Sequence, residues 1–423
     1  MMPPLPPRGI IDHRPRDFWS VKNHPLSGIT TAQWARMLWR HGRSVDGFTY
    51  WPRLLFITCM SVLNAFFALC DWLFYGRAVR NQELNDEPVF VLGHPRTGTT
   101  HLHNLLSKDE RFAFATTFSV GFPSSFLCLR AVAPIIGLLM DSTRPMDNMS
   151  LAWDTPQEDE LATNQMSSGT SPYAPLLFPR KEKSFRPFYR FLLARTGSGE
   201  DSDLELEDAD AEPCDPKDFE RWRRAFILFL KKTQYAAGGA RKRLLLKSPV
   251  HTARVRLIKS LFPKATFVFI HRHPLEVFRS AAHMADAYYW QCYLQRPRAL
   301  DVQEFILHQG ALLHRAYRED VAAMEAEKGR DLKKQKRLAE VRFAELDADP
   351  VGTLRARTRR WGGPRRSKRW SPRSSGTGAA WWISKKTRFP KKGSRAKPRR
   401  RCGEGGARGS RTSGTTRLPT RRA

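Results

Sequence analysis

Three short apolar runs constrain the fold of this chain more than any other feature. They are PVFVLG at 88–93, RLLLKSP at 243–249 and ATFVFIHRHP at 265–274. Each run leads into a polar turn and then a helical segment, as expected for buried parallel strands that alternate with crossover helices. The pattern therefore predicts an α/β fold in which helices flank a central parallel sheet.

The turn after the first run is suited to binding a phosphate-like anion. Its glycines have the spacing of a nucleotide P-loop, and a helix N-terminus follows them. Thr99 stands where that P-loop requires lysine, and the basic residue is Arg96, inside the turn. A γ-phosphoryl group normally needs Mg²⁺ and the lysine, so this turn suits a less charged group. The residues expected to contact the anion are Gly93, Pro95, Arg96, Thr97, Gly98, Thr99 and Thr100.

A second anion site is predicted at the end of the third run. Arg272 ends the predicted strand, and a helix that starts near Pro274 places Ser280 about two turns in. The guanidinium and the hydroxyl can then share one anion, such as a second phosphate. The alternative is a surface arginine beside a serine on a helix face.

These segments together resemble the PAPS-dependent sulfotransferases. HPRTGTTHLHNLL is similar to the family's 5′-phosphosulfate loop, and Arg272 with Ser280 matches its 3′-phosphate pair in residue type and spacing. LLLKSPVHTARVRL, TRPMDNMSLAWDTPQEDE and VRFAELDADPVGTLR also resemble family segments, in the family's order. The resemblance covers about residues 25–356. It implies a P-loop-like architecture, 3′-phosphoadenosine-5′-phosphosulfate (PAPS) as co-substrate, no metal, and in-line sulfuryl transfer to a hydroxyl or amine.

Three departures from the family accompany this resemblance. Arg96 stands where many members have lysine, and His273 where aspartate is common. A basic tail occupies the place of the family's C-terminal segment that closes over the cofactor, and only WISKKTRFP at 382–390 resembles that segment. If the tail replaces a native closing segment, we expect impaired activity.

The candidate catalytic residues come from three places in the chain. Arg96 can neutralise charge on the leaving oxygen, and the resemblance assigns Lys247 to the sulfuryl region. The base that takes the acceptor's proton is either His251, whose unperturbed pKa lies near neutrality, or a carboxylate of the run Gln157–Glu160, namely Glu158 or Glu160. The alternatives are a histidine that caps a helix and a solvated acidic face.

The N-terminal part divides into a Pro-rich segment, 1–28, and a helical region, 29–86. An amphipathic helix is expected at 29–43, followed by an apolar helix at 54–74 whose uncharged part is at the short limit for a membrane span. It is interpreted either as a buried or membrane-surface helix or as a transmembrane anchor. The compartment stays open between cytoplasmic and membrane-associated.

The sulfotransferase-like domain is assigned to 87–356, with an acidic loop at 197–216, and the rest of the chain is a basic tail, 357–423. The tail holds most of the net charge of +31, because its 23 Lys and Arg face one acid, Glu404. Its composition predicts disorder. An RNA- or membrane-binding extension, a solubilising tail and an error in the gene sequence all explain it.

The acceptor is expected to be a small molecule, a lipid or a carbohydrate. Six scattered cysteines show no spacing typical of a zinc site. The competing functions are a P-loop-type nucleotide kinase and a polyanion-binding protein that contacts nucleic acid through the tail. The missing loop lysine disfavours the kinase.

Overall fold

The computed structural model describes residues 17–22, 24–131, 133, 152–192, 214–326, 332, 335 and 337–358. All of these residues fall in one compact unit, Met1–Arg365. Within them, five parallel strands form one sheet in the order β2-β3-β1-β4-β5. The strands are β1 (Val89–Leu92), β2 (Phe112–Phe114), β3 (Arg243–Lys247), β4 (Thr266–His271) and β5 (Leu338–Arg342).

The position of each strand explains its residue pattern. β1 lies in the centre, where Val89 is opposite Leu245 of β3 on one side and Thr266 of β4 on the other. All residues of β1 are buried, so its sequence is continuously apolar. β5 lies at an edge and alternates buried Ala339 and Val341 with exposed residues. The predicted α/β fold with a central parallel sheet is confirmed, although β2 and β5 were not predicted as strands.

Twelve α-helices are present among the described residues, and they flank the sheet. They are α1 (Thr31–His41), α2 (Gly47–Asn81), α3 (Thr99–Leu106), α4 (Thr117–Gly121), α5 (Phe126–Leu129), α6 (Asp159–Met166), α7 (Pro216–Ala236), α8 (Val255–Leu261), α9 (Pro274–Tyr288), α10 (Ala299–Ala326), α11 (Phe343–Ala348) and α12 (Pro350–Thr358). The main core joins the sheet to α7 through residues such as Phe90, Leu246, Phe267 and Trp222.

The predicted apolar helix 54–74 lies inside the longer helix α2. This helix is long and apolar enough to cross a membrane by length and composition, and only 22% of its most apolar 18-residue window is buried. Those two properties alone are weak evidence for a span. Several charged and polar side chains of α2 are nevertheless buried, and their contacts are described below.

Several sequence predictions concern residues outside the described part. They are the Pro-rich segment up to residue 16, most of the acidic loop 197–216, and the tail 357–423 beyond residue 358. Helix α7 begins at Pro216, at the end of the acidic loop, where Asp215 caps it by accepting a hydrogen bond from the Lys217 N–H.

Candidate functional site

The candidate site is built from the carboxyl ends of four strands. In a parallel sheet these ends meet at one edge, where ligands of open α/β proteins bind. The loop 93–98 follows β1, Lys247 ends β3, Arg272 follows β4 and Phe343 follows β5. Chain segments that are distant in sequence therefore meet around the loop.

The backbone of the loop 93–98 has positive φ angles at three residues, a conformation that glycine adopts easily and other residues rarely adopt. Gly93 and Gly98 have φ angles of 144° and 100°, and Arg96 has φ 74° although it carries a side chain. A Cβ at Gly93 would lie 2.5 Å from the carbonyl oxygen of Ile270, and one at Gly98 would lie 2.4 Å from the ring of Phe343. Both glycines are thus required by conformation and by close approach.

Hydrogen bonds fix the loop in this shape. Thr97 Oγ1 donates to the carbonyl oxygen of His94 at 2.7 Å, and the Gly93 N–H donates to Thr252 Oγ1 at 2.8 Å. Thr97 and Thr99 are buried. Burial lowers the pKa of His94 to about 4, so this imidazole is neutral near pH 7. The loop is therefore rigid and brings its cation only through Arg96.

The predicted second anion site lies beside the loop. Arg96 Nε donates to Ser280 Oγ at 3.0 Å, which joins the loop to α9. Arg272 instead donates to Glu276 Oε2 at 2.7 Å, and its guanidinium stacks on Phe343, 4.4 Å from the ring centroid. Arg272 and Ser280 thus show no bond to each other. Ser280 contacts the loop directly through Arg96, and Arg272 adjoins it through Phe343, which packs on Gly98.

Lys247, Glu158 and Tyr173 form a hydrogen-bonded cluster next to α3. Lys247 Nζ lies 2.7 Å from Glu158 Oε1 and 3.3 Å from Thr100 Oγ1, and Tyr173 OH donates to Glu158 Oε2. The lysine is 1% exposed, whereas the Glu158 side chain is 20% exposed. Burial, followed by the nearby Glu158 carboxylate, raises the pKa of Tyr173 well above its ordinary value. The phenol therefore keeps its proton and remains a donor to Glu158.

His251 occupies a different environment. It is fully buried, and its Nε2 lies 2.6 Å from Asp159 Oδ2. Burial alone would raise the pKa of Asp159, but His251 and hydrogen bonds, including one from Ser248, outweigh burial and hold this pKa below its ordinary value. The structure does not bring His251 to solvent, where an acceptor could reach it.

Glu160 is also fully buried and forms an ion pair. Its Oε2 lies 2.9 Å from Arg254 Nη1 and 3.3 Å from Trp222 Nε1, and Ser171 donates to its Oε1 at 2.8 Å. Arg254 in turn stacks on the ring of Trp222. Of the acids in the run 158–160, Glu158 alone keeps partial exposure, because Asp159 and Glu160 are both 0% exposed.

Sequence reasoning missed the roles of three residues in this arrangement. Tyr173 holds Glu158, Thr252 holds Gly93, and Phe343 packs between Gly98 and Arg272. No local motif marks Tyr173 or Thr252, since each contact joins distant parts of the chain. Phe343 directly follows β5, so recognition of that strand would have placed it at the site.

Comparison with known proteins identifies the family. Residues 88–362 match the profile of the Sulfotransferase family. The chain belongs to this family. The omega-hydroxy-beta-dihydromenaquinone-9 sulfotransferase Stf3 of Mycobacterium bovis is 30% identical over 328 residues, which cover 78% of this chain and 76% of that protein. The protein of the same name from Mycobacterium tuberculosis matches equally.

A solved structure agrees with this assignment at the level of the fold. The crystal structure of sulfotransferase STF1 from Mycobacterium tuberculosis superimposes with a TM-score of 0.52 at 15% identity, covering 78% of this chain and 82% of the other. The predicted sulfotransferase activity, sulfuryl transfer, is confirmed by the family and its relatives. These comparisons favour neither a nucleotide kinase nor a polyanion-binding protein.

Proposed function

We propose that this sulfotransferase uses PAPS as its donor and sulfates the hydroxyl of a small apolar molecule or lipid. Members of the family generally use PAPS. The observation that supports the proposal most is that hydrogen bonds connect residues of the loop and of α3 to residues that are distant in sequence. Arg96 Nε lies 3.0 Å from Ser280 Oγ, and Lys247 Nζ lies 3.3 Å from Thr100 Oγ1. Cationic and hydroxyl groups thus gather where the sequence predicts two anion sites.

The loop also suits a phosphosulfate group by its shape. Gly93 and Gly98 approach Ile270 and Phe343 too closely for side chains, so the loop backbone lies directly against β4 and the residue that follows β5. The first N–H groups of α3 have no acceptor within their own helix, and a helix N-terminus favours an anion. These features fit the 5′-phosphosulfate end of PAPS, a donor that carries an activated sulfuryl group on its 5′-phosphate.

The binding roles follow from position. In this proposal the loop residues Gly93, Pro95, Thr97, Gly98, Thr99 and Thr100 hold the 5′ end. Arg272 and Ser280 hold the 3′-phosphate, which competes with Glu276 for the Arg272 guanidinium. Arg96 lies between the two ends because it reaches Ser280 from the loop.

Lys247 supplies the ammonium group that a P-loop lysine would provide and that this loop lacks. Its ammonium comes from the end of β3 and reaches the first turn of α3 at Thr100. A buried ammonium needs an anionic neighbour, and here that neighbour is Glu158. We infer that Lys247 stabilises negative charge near the transferring group, together with Arg96.

Glu158 is the base in this proposal. It is the acid of the run 158–160 that solvent reaches, and Lys247 and Tyr173 orient both of its oxygens. An oriented carboxylate can accept a proton from an acceptor hydroxyl. His251 and Glu160 are assigned structural roles, because each is fully buried and bonded to a partner of opposite charge or polarity.

The acceptor class is inferred from the surroundings of Glu158 and from one relative. The relative's name describes a hydroxylated menaquinone, which is a lipid-like molecule. In this chain an apolar cluster packs against α6, the helix that follows Glu158, and includes Phe118, Phe122 and Trp153. From the relative's name and from this apolar packing around α6 we infer an apolar acceptor that carries one hydroxyl.

Calorimetric titration with 3′-phosphoadenosine-5′-phosphate, the desulfated form of PAPS, tests the donor assignment. Arg96→Ala should weaken binding by about 1.5–3 kcal/mol, the value of a hydrogen bond to a charged group. Arg223→Ala is the matched control, because Arg223 pairs only with Glu220 among the contacts described. Equal affinity of the Arg96 variant and the wild type would contradict the proposed loop site.

The acceptor assignment is tested separately. The chain is incubated with PAPS, with and without EDTA, and with a hydroxylated isoprenoid quinone or its counterpart without the hydroxyl. We expect mass spectrometry to show a sulfated product from the hydroxylated compound alone, in both the presence and absence of EDTA. Product only without EDTA would contradict a metal-independent reaction.

A further inference from the structure

The distribution of apolar and polar side chains on helix α2 is the reverse of that on an ordinary surface helix. Large apolar side chains point to solvent along one face: Trp51, Leu55, Val62, Phe66, Leu69 and Leu73, each about half exposed or more. They recur every three, four or seven residues, so they form one stripe along the helix. A water-exposed helix normally carries polar residues on this face, and so large an apolar stripe marks an interaction surface.

The opposite face of α2 buries polar and charged side chains among apolar ones, and the polar groups bond to the protein body at three levels. Near its start, Arg53 is fully buried and donates to the carbonyl oxygens of Ser20 and Tyr293 at 2.8 and 2.7 Å. In the middle, Asn64 Nδ2 donates to the carbonyl oxygens of Ser27 and Ile29.

The third level lies near the end of the helix. Asp71 accepts hydrogen bonds from the backbone N–H groups of Leu127 and Cys128, and its Oδ2 lies 2.7 Å from Lys232 Nζ. Asp71 and Lys232 are both buried. Breaking such buried pairs is costly, so α2 cannot leave the body to cross a bilayer while the protein keeps this fold.

The charges at the end of the stripe indicate what covers it. Arg77 and Arg80 are exposed, and each lies about three turns beyond a stripe residue, Phe66 and Leu69 respectively. They therefore continue the same face of the helix. A stripe of apolar and aromatic side chains that is continued by arginines is typical of helices that lie in the interface of an anionic membrane.

We propose that the outer face of α2 docks into one leaflet of an anionic bilayer, with the helix parallel to the membrane plane. The stripe enters the boundary between headgroups and acyl chains, and Arg77 and Arg80 pair with lipid phosphates. The surface does not depend on the proposed donor or acceptor. It does place the protein where apolar hydroxylated molecules are dissolved.

Vesicle flotation with the full chain tests this proposal. The vesicles contain equal parts of phosphatidylcholine and phosphatidylglycerol, and all samples have the same salt concentration, so that the basic tail contributes equally to the binding of every variant. Leu69→Glu is compared with Leu300→Glu, because both leucines are 53% exposed and only Leu69 lies in the stripe. We expect at least a tenfold loss of vesicle binding for Leu69→Glu and wild-type binding for Leu300→Glu.

Folding and donor binding are checked in the same samples by circular dichroism and by titration with 3′-phosphoadenosine-5′-phosphate. Both should match the wild type in both variants, because neither leucine touches the site. Equal vesicle binding of the two variants would overturn the proposal. So would a wild-type chain that resists extraction by alkaline carbonate, as a spanning protein does, or one that forms a dimer through α2 and does not float.

Discussion

Replacement of Glu158 by glutamine removes the carboxylate partner of a buried ammonium. Lys247 is 1% exposed and lies 2.7 Å from Glu158 Oε1. Breaking a fully buried pair from one side costs about 3–5 kcal/mol. Because Glu158 is 20% exposed, water screens part of this interaction. We therefore expect Glu158→Gln to lower the free energy of unfolding by about 1.5–3 kcal/mol, the range for hydrogen bonds to charged groups.

The reverse replacement should behave differently. Lys247→Met puts an apolar side chain into a buried position and leaves the carboxylate where water reaches it. Its loss of unfolding free energy should be smaller than that of Glu158→Gln, because the charge it leaves unpaired is a carboxylate that water reaches, whereas Glu158→Gln leaves an unpaired ammonium in the interior. Urea denaturation followed by circular dichroism measures both values. Equal losses, or a Glu158 variant as stable as the wild type, would refute the reasoning.

The same variant tests the chemistry. Loss of a positioned base lowers a rate by about 10²- to 10⁴-fold, so Glu158→Gln should transfer labelled sulfate that much more slowly from PAPS at saturating donor. The affinity for 3′-phosphoadenosine-5′-phosphate should change little, because Glu158 is not assigned to donor binding. Sulfate transfer at the wild-type rate would place the base elsewhere.

Three further predictions follow from the contacts described. Arg272→Ala should weaken binding of 3′-phosphoadenosine-5′-phosphate by about 1.5–3 kcal/mol and leave adenosine 5′-monophosphate unaffected in the same calorimetric titration; equal losses for both ligands would exclude a 3′-phosphate role. His251→Asn should lower the unfolding free energy by about 3–5 kcal/mol and leave the pH dependence of transfer unchanged, whereas a lost pH-rate limb would restore His251 as the base. Burial lowers the pKa of His24 from 6.5 to about 3, so the unfolded chain binds a proton between these values that the folded chain does not, and stability falls as the pH falls through this window. His24→Asn should reduce that slope by about 1.4 kcal/mol per pH unit, as measured by urea denaturation at several pH values; an unchanged slope would contradict it.

The sequence was sufficient to predict the sheet's centre and the loop. β1, β3 and β4 lie within continuous apolar runs, because strands of a parallel sheet are buried on both faces. β2 is three residues long and β5 alternates apolar and charged residues at an edge, so neither produces such a run. Periodicity therefore identified the interior of the sheet and missed its borders.

The roles within the acidic run could not be predicted from local sequence. Glu158, Asp159 and Glu160 are consecutive, and their identities do not reveal which one meets solvent. Their environments are set by distant residues: Lys247 for the first, His251 for the second and Arg254 for the third. The prediction that Arg272 and Ser280 share an anion stays a prediction, because their present contacts are with Glu276 and Arg96.

Phe343 has a consequence for how the protein assembles. It follows the outermost strand, yet its ring touches Gly98 of the central loop and the guanidinium of Arg272. Phe343 lies far along the chain from the loop that it supports. A nascent or truncated polypeptide that ends before residue 343 therefore contains the loop sequence but lacks the Phe343 ring that packs against it. We therefore expect the loop to reach its final shape only after β5 and Phe343 have been synthesised and have joined the sheet.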